Sequence, residues 1–164
     1  MNFEWPLYIA SELQSQGIIR IEDGNHGEYR PKQNEFGDFP TAFIRASDLN
    51  GSYIDFINAD HINDVALQRI RKGIGKAGDV IFSHKGTVGK LAMAPSDAPP
   101  FVCSPQTTFW RTLNNDILNR RFLYYYMKSK EFIDQWSCRK GETDMADYVS
   151  LTAQKQLGIR VPHI

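Results

Sequence analysis

The sequence has no run of apolar residues long enough to span a bilayer, which takes roughly 18 in succession. Its opening, Met1-Asn2-Phe3-Glu4-Trp5-Pro6, has neither the basic end nor the apolar stretch of a secretion signal. The expectation is a cytoplasmic protein with no membrane role. Cysteine is scarce: Cys103 and Cys138 stand far apart and form no Cys-x-x-Cys pair, so neither a disulfide framework nor a zinc site is indicated, and both read as buried free thiols. The histidines His26, His61, His84 and His163 show no metal-ligand spacing, and no metal is expected. An excess of charge is missing too, since 19 basic side chains balance 19 acidic ones.

Catalytic patterns are also missing. A methyltransferase needs a glycine-rich turn after a strand for its cofactor and an Asn/Asp-Pro-Pro-aromatic loop for a flipped base. The one Pro-Pro pair here, Pro99-Pro100, follows Ala98, whose side chain accepts no hydrogen bond. A magnesium nuclease needs clustered carboxylates near a lysine. Asp79 and Lys85 share a predicted hairpin, but no Glu-x-Lys or Asp-x-Lys spacing accompanies them. Gly86-Thr87-Val88-Gly89-Lys90 has fewer residues between its glycines than a phosphate loop and leads into a predicted strand rather than a helix. No Ser/His/Asp or Cys/His set stands out, so the chain reads as non-catalytic and free of cofactors.

What is present describes an ordinary globular chain: 41% hydrophobic, 12% aromatic, with no repeat, low-complexity tract or linker. At 164 residues, one domain over 1–164 is the expectation. The balanced charge is unevenly distributed. Between Glu22 and Asp60 eight carboxylates meet only Arg30, Lys32 and Arg45, whereas from Arg69 to Lys90 six basic residues meet only Asp79. A second basic stretch runs from Arg111 to Lys140. Two basic segments converging in space would make one positive face, while each taken alone is also consistent with a solvated surface.

Short elements of both kinds follow one another. Trp5, Ile9 and Leu13 recur every four residues before Gly17, which predicts a short helix with a glycine stop, and Ile18–Ile21 predicts a strand. Asp23-Gly24-Asn25-His26-Gly27 predicts a tight exposed loop. Strands are predicted over 42–45 and 53–57 around Asn50-Gly51, then a helix from Asn58 or Asp60 that buries Ile62, Ala66 and Ile70. Further strands are predicted over 78–83, 88–94, 101–104 and 107–112. Leu118, Phe122, Tyr126, Ile133 and Trp136 fall on one helical face, which marks core more readily than a cofactor box. Thr152 is placed to cap a last helix before Gly158, and 159–162 suits a closing strand.

The order of these blocks resembles the target recognition domains of type I restriction-modification specificity subunits and of some fused restriction-methylation enzymes. The likeness runs through Gly17-Ile18-Ile19, Asp23-Gly24-Asn25-His26-Gly27-Glu28 and Phe43-Ile44-Arg45-Ala46-Ser47-Asp48-Leu49. It continues through Gly78-Asp79-Val80-Ile81-Phe82, Lys85-Gly86-Thr87-Val88-Gly89-Lys90, Ser104-Pro105-Gln106 and Phe122-Leu123-Tyr124-Tyr125-Tyr126-Met127-Lys128-Ser129. It departs at Gly141-Glu142-Thr143-Asp144, where such domains often carry Gly-Ser-Thr. The resemblance implies an α/β fold of the α+β type, with a twisted, mostly antiparallel sheet flanked by helices. It also implies double-stranded DNA as ligand, and methyltransferase and restriction subunits as partners that hold S-adenosylmethionine and ATP. A full subunit would continue past Ile164 into a long helix and a second recognition domain, so the chain reads as one recognition half.

On that reading, loops enter the major groove and basic residues hold phosphates. The candidates are Asn25, His26, Tyr29, Arg30 and Lys32 in one loop, and His84, Lys85, Thr87 and Lys90 in another. Gln106, Arg139 and Lys140 complete the set. Arginine or lysine suits guanine, and Asn25 or Gln106 suits adenine. Each has a structural alternative: Asn25 can hold a turn, Gln106 can pin the sheet, Thr87 can cap a hairpin, and Arg139 and Lys140 can sit at a solvated helix end. The rival function is a protein-binding assembly module presenting the aromatic helix to a partner. A recognition domain detached from a fused restriction-methylation enzyme is the nearer variant.

Overall fold

A computed structural model describes residues 4–142 and 147–162. In chain order the first elements are β1 (Leu7–Ile9), α1 (Ala10–Ser15), β2 (Ile19–Asp23), β3 (Phe36–Ile44), β4 (Leu49–Asn50), β5 (Tyr53–Ile54), β6 (Asp60–Ile62) and α2 (Asp64–Arg69). Then come β7 (Val80–Ser83), β8 (Lys85–Gly86), β9 (Leu91–Met93), β10 (Phe101–Cys103) and β11 (Thr107–Thr112). The last are α3 (Arg120–Met127), α4 (Lys130–Cys138), β12 (Gly141–Glu142), β13 (Asp147–Tyr148), α5 (Leu151–Lys155) and β14 (Gly158–Arg160). Every strand pairing among the described residues is antiparallel except that of β10 with β3.

Two sheets form the centre, with strand orders β2-β11-β7-β9 and β10-β3-β6. Alternation along each strand sends neighbours to opposite faces and so builds layers. In the first sheet Ile19, Ile21, Val80, Phe82 and Trp110 turn towards α1, α3 and α4, where they meet Leu13, Leu123, Met127 and Phe132. Ile81, Ala92 and Phe109 turn the other way, onto Ala42, Ile44, Phe101 and Cys103 of the second sheet. The far side of that sheet, Phe43 and Val102, packs on Ala66 and Ile70 of α2 and the residue that follows it. The stack is therefore helices, sheet, sheet, helix. Full burial of each large side chain between the layers stabilises it by roughly 1.5–3 kcal/mol.

Several expectations change when strands find partners distant in sequence. Leu7–Ile9 is not helical, because it pairs with Arg160–Gly158; the helix behind it still ends before Gly17, at φ +72°. Asp60–Ile62 is a strand opposite Thr41–Phe43, so the helix starts later, with the Asn63 side chain accepting from the Ala66 N–H. The long aromatic helix is two helices. The Ser129 side chain accepts from the Phe132 N–H and starts the second of them. Ser150 rather than Thr152 caps α5. Cys103 is buried, and burial pushes its thiol up to about 12, whereas Cys138 is exposed. The loop after β2 is not fully exposed, since Asp23, Gly24 and Asn25 are buried.

The aromatic stripe faces inward except at Ile133, which is exposed because it lies past the break between α3 and α4. Leu118 and Phe132 are fully buried, Tyr126 is buried, and half-buried Phe122 and Trp136 pack on the same cluster. No helix among the described residues is long and apolar enough to cross a membrane.

Candidate nucleic-acid interface

At one end of the two sheets, three connections are tied into a single rim. Gln106 lies in the turn between β10 and β11, where its backbone N–H donates to Ser104 Oγ at 3.1 Å and its carbonyl accepts from the His84 N–H at 2.9 Å. Its side-chain Oε1 accepts from the Ala46 N–H at 3.3 Å, and the Ala46 carbonyl accepts from Lys90 Nζ at 3.2 Å. These hydrogen bonds therefore join the connections around Ala46, His84, Lys90 and Gln106. Gly24 brings a fourth connection up to them: a Cβ there would lie 2.2 Å from the Ser104 carbonyl carbon. The glycine allows two protein loops to touch.

A cleft of about 140 Å³ opens on this rim. Arg30, Arg45, Lys85 and Gln106 line it with donors; Phe43, Ser104 and Pro105 complete its wall. Arg45 is the best-held of the four. Its guanidinium lies 4.9 Å from the Phe43 ring centre and 5.5 Å from that of Phe36, and its Nη1 donates to Asp60 Oδ2. Its backbone N–H donates to Asp48 Oδ2 at 2.8 Å, and burial nevertheless raises the Asp48 carboxyl above its ordinary range. Lys85 is exposed on β8, which pairs with β13, and β13 pairs in turn with β12. That ribbon places Gly141, and Lys140 beside it, two strand spacings from Lys85, about 10 Å by sheet geometry.

Residues 16–164 match the family described as the type I restriction modification DNA specificity domain. The chain belongs to this family. Its fold recurs in solved structures of low identity. A chain in a structure of the type I R-M system shares 14% identity over all of this chain and 35% of that one, with TM-score 0.68. The HsdS subunit from Thermoanaerobacter tengcongensis shares 14% over 99% of this chain and 34% of that one, with TM-score 0.65. The type IIG restriction endonuclease BpuSI shares 9% over 94% of this chain and 24% of that one, with TM-score 0.60. The specificity domain thus spans about a third of the length of the first two of these chains. No curated protein matches the sequence.

The specificity domain brings some of the expected residues together and separates others. Arg30, Lys85 and Gln106 share the cleft, with half-buried Lys90 tied to its rim. Exposed Tyr29 stacks under the Arg71 guanidinium at 5.6 Å beside it. Lys32 and Thr87 are exposed on flanking loops. Asn25 is turned inward: its Nδ2 donates to the Lys72 carbonyl at 2.6 Å and its Oδ1 accepts from the Arg71 N–H at 2.9 Å. Both ends of its amide are engaged, so a base contact by Asn25 is ruled out in this conformation.

His26 is exposed, with Nε2 3.4 Å from Asp23. His84 is buried instead, with Nδ1 2.6 Å from Thr108 Oγ1, and desolvation drives its pKa down to about 4. It supports the rim from beneath as a neutral ring and cannot be a cationic DNA contact in that place. Exposed Arg139 donates to the Gln135 carbonyl at 3.0 Å, and exposed Lys140 donates to Asp147 at 3.0 Å. The departure at 141–144 falls partly outside the described residues, since Thr143 and Asp144 are not among them.

Arg45 and Phe43 were the residues that spacing missed. Arg45 lies among carboxylates in the acidic stretch 22–60, and only the pairing of β3 with β6 shows that its aromatic and acidic neighbours hold it. No group of three or more metal-ligating side chains lies together among the described residues.

Proposed function

We propose that the chain acts as one target recognition domain, binding double-stranded DNA in the cytoplasm with the cleft of Arg30, Arg45, Lys85 and Gln106 turned towards the major groove. The observation that carries this reading is the convergence of those four donors, from four separate connections, on one rim. Family membership supports DNA as the ligand. Lys32, Lys90, Arg139 and Lys140 flank the cleft as phosphate contacts, with His26, Tyr29 and Thr87 at its margin. Modification and restriction subunits supply the catalysis, and the domain itself binds no cofactor. The likeness in fold to a type IIG endonuclease keeps a second context open for the same surface, a recognition domain inside a fused enzyme.

Titration of the purified chain against a random duplex pool tests this. If about five phosphates are neutralised, the logarithm of affinity falls against that of salt with a slope near −4 to −5. Enriched sequences should share a motif. Binding that ignores both salt and sequence rejects the proposal.

A further inference from the structure

The cleft carries more than positive charge. From the geometry of Arg45 we infer that the recognised sequence contains a G·C pair read by Arg45 and Asp60 together. This inference rests on the DNA-reading function proposed above. In the major groove guanine offers two acceptors, N7 and O6, and its cytosine offers the N4 amine as a donor beside them. An A·T pair instead alternates acceptor, donor, acceptor.

The surface at Arg45 complements the first pattern. Nη1 is bonded to Asp60 Oδ2 at 2.5 Å, while no protein acceptor among the described residues engages Nε or Nη2. The flanking Phe36 and Phe43 rings hold the guanidinium in place. Asp60 at its side is an acceptor only, and its side chain is 58% exposed. Two donors therefore stand next to an acceptor, on side chains projecting from the ends of the paired strands β3 and β6.

Two further observations choose among ligands. A phosphate would meet the Asp60 carboxylate beside Arg45 and Asp48 close behind it, whereas a base edge carries no net charge to repel. Adenine needs a side-chain amide that donates and accepts at once. Asn25 has both ends engaged in the protein, and the Gln106 oxygen is engaged by the Ala46 N–H. The adenine contact expected of Asn25 gives way to none, and that expected of Gln106 would use an oxygen already engaged by the Ala46 N–H.

The test uses the 164-residue chain, its Arg45→Lys and Asp60→Ala variants, and the duplex enriched by the unaltered chain. Exchanging the assigned G·C pair for A·T should weaken the unaltered chain by roughly 5- to 150-fold, and replacing that guanine with 7-deazaguanine should weaken it several-fold. Arg45→Lys keeps the charge but loses the fork, so both penalties should shrink towards one. Asp60→Ala should reduce the G·C preference while leaving overall affinity equal or higher. Thermal midpoints of both variants confirm that they are folded.

Equal weakening on every duplex by Arg45→Lys, with 7-deazaguanine tolerated, would put Arg45 on a phosphate and overturn the inference while DNA reading stands. An unchanged base preference in Asp60→Ala would overturn the part assigned to Asp60. If the unaltered chain prefers no duplex at all, the proposed function fails and this inference fails with it.

Discussion

Two sets of cations in this molecule have opposite fates. In the interior seam Arg111 donates through Nε and Nη2 to both oxygens of Asp79 at 2.7 Å, and through Nη2 to the Ile74 carbonyl at 2.9 Å, so the forked edge of the guanidinium is fully engaged. Asp79 is fully buried, and burial raises its carboxyl above the ordinary range despite the two donors pulling it down. Arg69 with Glu35 and Lys72 with Asp23 bond in the same manner. At the cleft, by contrast, the exposed side chains of Arg30 and Lys85 donate to no protein acceptor among the described residues, and Arg45 keeps Nε and Nη2 unengaged. The lesson concerns charge patterning. Two pairs, Arg69 with Glu35 and Lys72 with Asp23, join the basic stretch 69–90 to the acidic stretch 22–60 on folding, so the cations left for a polyanion are those whose donors face away from these seams.

Breaking the seam should have the largest effect. Asp79→Ala strands the largely covered Arg111 guanidinium and should cost about 3–5 kcal/mol in urea unfolding, while DNA affinity per folded molecule stays unchanged. A comparable loss of sequence preference in the folded fraction would show that seam and cleft are not separate.

His84, beneath the rim, sharpens the contrast through pH. The unfolded imidazole titrates near its ordinary 6.5 and the folded one at about 4, so between those values the unfolded chain holds a proton that the native one excludes. Stability from this group should be present above pH 6.5, fall as pH drops towards 4, and level off below that. The Glu35 carboxyl, held down to about 2 chiefly by its bonds with Arg69, acts in a lower window, losing its contribution from 4.5 downwards. In urea unfolding at pH 7, 5.5 and 4.5, His84→Gln should flatten the slope; curves parallel to those of the unaltered chain would refute the assignment.

The smallest effect on stability belongs to Lys85→Ala, expected within about 0.5 kcal/mol. With Lys85 as a base contact in the cleft, the substitution should relax preference at one base position by about 1–3 kcal/mol. Equal loss on every duplex, with a salt slope shallower by about 1, would move Lys85 from base to phosphate.

Local signals were legible and distant ones were not. Branched and aromatic runs announced β2, β7 and β11, and the glycine after Gln16 marked the end of α1. The aromatic stripe was legible as core, but not the break at Ser129, because a serine side chain starts a helix only where the chain has already turned. Strand status for Asp60–Ile62 depends on Thr41–Phe43, some twenty residues upstream, and no local window contains it. The site divides in the same way. Lys85 and Arg30 were visible as cations in glycine-flanked loops, whereas the inward turn of Asn25 depends on Arg71 and Lys72, whose backbone it holds.

The pairing of β1 with β14 sets how the domain bears load. Leu7 stands opposite Arg160, so both flanking stretches leave from the same end of a short antiparallel pair. A pull between them runs across the strands and peels the pair one hydrogen bond at a time rather than shearing all of them together. Under tension this seam gives way first, with the layers that carry the cleft still intact.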